Sequence, residues 1–89
     1  MITQDQLKDV LDRADSLHRY LDIDRKKIEY EEEDLRTQAP DFWDDPERAQ
    51  KQMKLVKDIK KWLDGYAEVR TAADELQLAF DFYKDELVS

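Results

Sequence analysis

The sequence predicts an all-α fold, an antiparallel hairpin or open coiled-coil-like bundle of two long helices. Three observations predict it. Apolar residues recur at helical spacing over two extended stretches. Punctuation is nearly absent: Gly65 is the only glycine, Pro40 and Pro46 are the only prolines, and there is no asparagine. Strands need turns, and turns draw on those residues at fixed places, so a multi-stranded sheet is improbable. Third, 43% of the residues are charged, which confines the apolar side chains to stripes of the kind that thin helices carry.

The first helix is expected over about residues 4–37. Thr3 and Gln6 match a capping box, and Ile2 with Leu7 matches a hydrophobic staple, so four residues agree on one start. Leu7, Ala14, Leu21, Ile28 and Leu35 then recur every seventh residue, with Val10 and Leu17 as the three-residue partners of a coiled-coil-like seam. The partner positions turn polar at Asp24 and Glu31, so a bend is expected near Leu21-Asp22-Ile23. Pro40 biases Ala39 away from helix and ends the element.

A turn at 38–45 follows. Phe42 and Trp43 form an aromatic plug, and Asp45 before Pro46 is a helix-start signal: the carboxylate can cap free N–H groups and Pro loses nothing at the first helical position. The second helix is expected over about 46–86. Its seam reads Ile59, Trp62, Tyr66, Val69, Ala73, Leu76, Phe80, Tyr83 and Leu87, extended backward by Leu55. The phase holds across Gly65, so the helix is expected to run through it at a cost of about 1 kcal/mol relative to Ala.

Charge supports the pairing. Glu31, Glu32, Glu33 and Asp34 sit near the C-terminus of the first helix, and Lys51, Lys54 and Lys57 early in the second, both unfavourable by the helix dipole. A hairpin brings the two blocks side by side. Apolar residues also lie off the seams: Ile23 and Tyr30 on the first helix, Leu63, Leu78 and Phe82 on the second. They imply a third helix, a second copy or a neighbouring protein, so self-association is expected. Leu87-Val88-Ser89 interrupts an apolar pattern without a C-cap, which reads as truncation of a longer chain.

Little chemistry is legible. Net charge is −8, so autonomous nucleic-acid binding gains nothing from counterion release, and anionic membranes are equally disfavoured. No apolar run approaches the ~20 residues of a membrane span. The first residues carry no export signal, which makes the cytoplasm the default compartment. The absence of cysteine removes disulfides, thiol catalysis and thiolate metal sites. His18, the only histidine, has Asp15 and Asp22 about one turn to either side, which reads as a surface or seam-flanking residue. Asp41, Asp44 and Asp45 read as capping residues before a weak cation site. No catalytic, cofactor-binding or metal-ligating residue is nominated, no cofactor is expected, and the chain is expected not to be an enzyme.

One stretch carries a resemblance. Leu17-His18-Arg19-Tyr20-Leu21-Asp22, then Arg25-Lys26-Lys27, then Pro40-Asp41-Phe42-Trp43 and Asp45-Pro46-Glu47-Arg48-Ala49-Gln50, resemble the N-terminal domain of the bacterial peptide chain release factor 2 family, whose patterns are close to R-x-Y-L-D-x-D-x-K-K and P-D-x-W-x-x-P-E-R-A-Q. The likeness spans about residues 3–87, and its specific part lies between 17 and 50. It implies part of a class I translation termination factor acting at UGA and UAA stop codons. The ribosome near the stalk base and a GTPase release factor are the implied partners. The family's Gly-Gly-Gln and Ser-Pro-Phe motifs are absent from this chain, so neither hydrolysis nor codon reading carries over. The alternative is a free-standing coiled-coil adaptor or scaffold.

Overall fold

A computed structural model describes the backbone of residues 2–88 and the side chains of 2–84. Among the described residues three α-helices follow in order, α1 (Gln4–Tyr20), α2 (Ile23–Arg36) and α3 (Pro46–Val88), with a 3₁₀ turn at Phe42–Asp44. No strand occurs among the described residues. At about 1.5 Å per residue α3 spans about 65 Å, which is the long dimension of a 65 × 22 × 17 Å molecule. Helices α1 and α2 lie end to end along α3 and run antiparallel to it.

Local chemistry explains each start. The Thr3 hydroxyl accepts from the Gln6 amide at 3.1 Å, while the Gln6 side chain accepts from the Thr3 amide at 2.9 Å. This is the capping box the sequence predicts. Asp45 Oδ1 accepts from the Arg48 amide at 3.2 Å and caps α3, with Pro46 as its first residue. Helix α3 passes through Gly65 without interruption.

The first predicted helix is broken, and the break changes which residues are buried. Asp22 adopts the left-handed conformation, φ 51° and ψ 56°, the one non-glycine residue with positive φ among those described. The Leu21 amide still donates to the Leu17 carbonyl (2.9 Å) and the Asp22 amide to the Arg19 carbonyl (3.1 Å), closing α1. The Asp22 carbonyl then accepts from the Lys26 amide at 3.0 Å and opens α2. In a continuous helix Ile23 would lie roughly half a turn around from Ala14. The left-handed residue removes that offset. Ile23 therefore joins Leu7 and Ala14 in the core, at 1% exposure, and Tyr30 is half-buried. Ile28 and Leu35, expected in the seam, are 57% and 67% exposed.

The seam of α3 is also rotated from the expected one. The side facing α1 and α2 follows Ala49, Gln52, Val56, Ile59, Leu63, Tyr66, Arg70, Ala73, Gln77 and Phe80, in alternating three- and four-residue steps, all buried or half-buried. Four of the expected positions, Ile59, Tyr66, Ala73 and Phe80, belong to it. Leu55, Trp62, Val69 and Tyr83 do not, and are exposed, while Leu76 lies half-buried beside it; Trp62 is not a seam anchor. Leu63 proves half-buried, while Leu78 and Phe82 are open to solvent. The expected seam position Leu87 lies outside the described side chains. The cause lies in the polar residues: Gln52, Arg70 and Gln77 occupy core-facing positions, which hides the true stripe from a reading that follows only apolar residues.

Among the described residues, three of the seven buried hydrophobic ones are alanines, so the core is one side chain thick. The surface is 7404 Å², against about 5,500 Å² for a compact chain of this mass. The radius of gyration is 19.3 Å, against about 12 Å for a compact domain of this length.

Candidate functional site

The polar residues that meet across the hairpin form two clusters. In the first, α1 presents Asp15 and His18 toward Tyr66 and Arg70 of α3. Arg70 Nη1 donates to Asp15 Oδ1 at 2.7 Å, and its Nη2 lies 3.0 Å from Asp74 Oδ1 one turn along α3. These carboxylates, Asp74 first and Asp15 second, hold the Arg70 guanidinium still further above its ordinary range. His18 is half-buried and stacks edge-on against Tyr66, ring centroids 5.3 Å apart. Its Nε2 lies 3.4 Å from Asp24 Oδ1. The expected neighbours of His18, Asp15 and Asp22, are thus replaced by Asp24 across the helix break. The cluster ties α1, α2 and α3 together at the break, and its charged groups are already partnered with one another.

The second cluster lies near the turn. Gln52 Nε2 donates to the Glu33 carbonyl at 2.9 Å and to its carboxylate at 2.7 Å. The lysine block expected to meet the 31–34 acids does not do so: Lys51 lies 3.8 Å from Glu47 on its own helix, and Glu33 lies 3.7 Å from Arg36 on its own. An amide, not an ammonium, makes the link, because position 52 faces α2 while Lys51 and Lys54 stand exposed beside it. A cleft of about 360 Å³ opens beyond it, lined by Arg36, Asp41, Phe42, Asp44, Asp45 and Arg48 among others. Phe42 packs edge-on to Trp43 at 5.1 Å, and Trp43 is 62% exposed, so the aromatic corner is plugged by Phe42 alone. Asp45 is engaged in capping. Among the described residues no group of three or more His, Asp or Glu is placed to hold a metal ion.

An apolar stripe also lies open along α3. Leu55, Trp62, Val69, Leu76 and Tyr83 recur every seventh residue along α3, beside the core-facing seam, Leu76 half-buried and the other four exposed. Gly65, Ala72 and Ala79 interleave with them at the intervening steps, and all three are exposed. A Cβ built on Gly65 would meet nothing within 4 Å. Helix α3 thus carries two seams, one closed by α1 and α2 and one open. The signal for the second was present in the sequence, in glycine and alanine every seventh residue, but small residues carry little weight in a hydrophobic reading.

Among the described residues no helix is long and apolar enough to cross a membrane. No protein-family model matches the chain, and no solved structure gives a significant match.

Proposed function

We propose that this chain is a helical docking module, a scaffold without catalysis of its own, whose open α3 seam receives other helices. One observation carries the reading: an apolar stripe from Trp62 to Tyr83, with Trp62 56% exposed, runs along a helix whose other side is already packed. Contiguous exposed apolar surface on this scale marks interaction sites. A photo-cross-linking residue at position 69, compared in cells with one at position 60 about half a turn away, tests it. Adducts from 69 and not from 60 are expected. Equal yields, or none from 69, would overturn the reading.

A second reading is favoured by the 17–50 stretch, whose residue identities and spacing resemble release factor 2. In that setting the module is the N-terminal domain of a cytoplasmic translation termination factor for UGA and UAA. Its partners are then the ribosome near the stalk base and a GTPase release factor. The genomic reading frame separates the two. Continuation in frame to a Gly-Gly-Gln motif supports the termination factor; a stop codon directly after Ser89 supports the free-standing scaffold. Peptide release from UGA-programmed ribosomes by this chain alone would overturn the non-catalytic assignment under either reading.

A further inference from the structure

The open seam has a shape that suits itself. Its large residues, Trp62, Val69, Leu76 and Tyr83, stand at one heptad position, and Gly65, Ala72 and Ala79 at the other. We infer that α3 pairs antiparallel with α3 of a second copy of this chain through this seam. The inference rests on the docking reading above and names its occupant.

Antiparallel pairing about a two-fold axis between Arg70 and Thr71 sets every large residue of the seam against a small or polar one. Trp62 meets Ala79 of the second copy, Val69 meets Ala72, and Leu76 meets Gly65. Tyr83 meets Asp58, the one charged residue on the seam from 58 to 83, where a phenol can donate to a carboxylate. A parallel pair in register would instead oppose Trp62 to Trp62 and leave Gly65 against Gly65. Large-into-small packing lets helices approach closely and fills the space between them.

Charge selects the same orientation. Through residue 61, α3 holds Arg48, Lys51, Lys54, Lys57, Lys60 and Lys61 against Glu47 and Asp58. From residue 62 onward it holds seven acids, among them Asp74, Glu75 and Asp81, against Arg70 and Lys84. In this register the basic stretch from Lys54 to Lys61 lies against residues 80–87, which hold Asp81, Asp85 and Glu86 with Lys84, while the acids from Asp64 to Glu75 face their own stretch of the second copy. A parallel pair would set every charged block against itself, and the helix dipoles also prefer the antiparallel pair. Glu68 and Glu75 border the seam and oppose one another across the pair, but both are exposed and screened over about 8 Å in physiological salt.

Sedimentation equilibrium across a range of concentrations reads the association. The wild-type chain is expected to reach twice its monomer mass and to dissociate on dilution. Val69→Glu and Ala72→Glu, both at exposed positions, are expected to stay monomeric with unchanged helical circular dichroism. With no native cysteine, single cysteines report orientation. Ala72→Cys should be joined to its own copy by a short bis-maleimide, whereas Ala79→Cys should not, because its two copies lie about 25 Å apart along the axis. A wild type monomeric at every concentration, dimers that survive both glutamate variants, or equal cross-linking at 72 and 79 would each overturn the inference. A monomer with position-69 adducts of other proteins in cells would leave the docking reading standing.

Discussion

Arg70 of α3 reaches Asp15 of α1 at 2.7 Å across the hairpin, from the side of α3 that faces α1 and α2. The pair fixes the register of α1 against α3 where apolar contacts are thin. Its side chains are 34% and 55% exposed, so screening limits its strength. A double-mutant cycle of Asp15→Ala and Arg70→Ala is expected to give a small favourable coupling, as exposed ion pairs do. Urea unfolding measures it, and the coupling should shrink in 1 M salt, where the screening length falls to about 3 Å. A coupling unchanged by salt would mean the contact is not electrostatic.

Asp22 sets the phase of α2 by holding a conformation that costs a non-glycine residue roughly 1–2 kcal/mol, less for Asp. Its side chain makes no capping hydrogen bond, so little is lost on removing it. Asp22→Gly is therefore expected to be neutral or to stabilise by up to ~1 kcal/mol. Asp22→Val, whose branched Cβ resists positive φ, is expected to destabilise by more than that. The denaturation midpoints of the two variants should move apart.

Much of this fold was legible in the sequence. The Thr3–Gln6 box, the Asp45-Pro46 start and the passage through Gly65 are local signals, decided within a turn of helix, and local signals survive in any tertiary setting. The break at Asp22 was legible only as a bend. Asp24 and Glu31 showed that the seam weakened, but nothing in a heptad count reveals that one left-handed residue rotates the next helix by about half a turn. The identity of the α3 seam was obscured for a different reason. Two stripes share Ile59, Tyr66, Ala73 and Phe80, and hydrophobicity alone favours the one containing Trp62, while burial selects the one containing Gln52 and Arg70, because those polar residues find partners on α1 and α2. His18 was placed correctly beside the seam, but its partner Asp24 lies across the break and cannot be found by helical spacing.

The exchanged roles of Ile23 and Trp62 give a direct contrast. Ile23→Ala removes the most completely enclosed large side chain and is expected to cost about 2–4 kcal/mol. Trp62→Ala, measured at concentrations low enough to keep the chain monomeric, is expected to shift stability by no more than ~1 kcal/mol, as surface substitutions do. Thermal unfolding of both variants side by side decides the matter. A larger loss for Trp62→Ala would place the tryptophan in the hairpin core.

Gly65 interrupts neither helix nor packing, yet glycine within a helix costs about 0.5–1 kcal/mol relative to alanine through the freedom it has when unfolded. Nothing lies within 4 Å of the Cβ that alanine would add. In the monomer, Gly65→Ala should thus raise stability by that amount, read as a higher urea midpoint with an unchanged slope. In the antiparallel pair the same methyl faces Leu76 of the second copy. There the substitution is expected to weaken association while it strengthens the fold. Opposite signs for folding and pairing distinguish a contact surface from a solvent-exposed face, on which the methyl group would act on the helix alone.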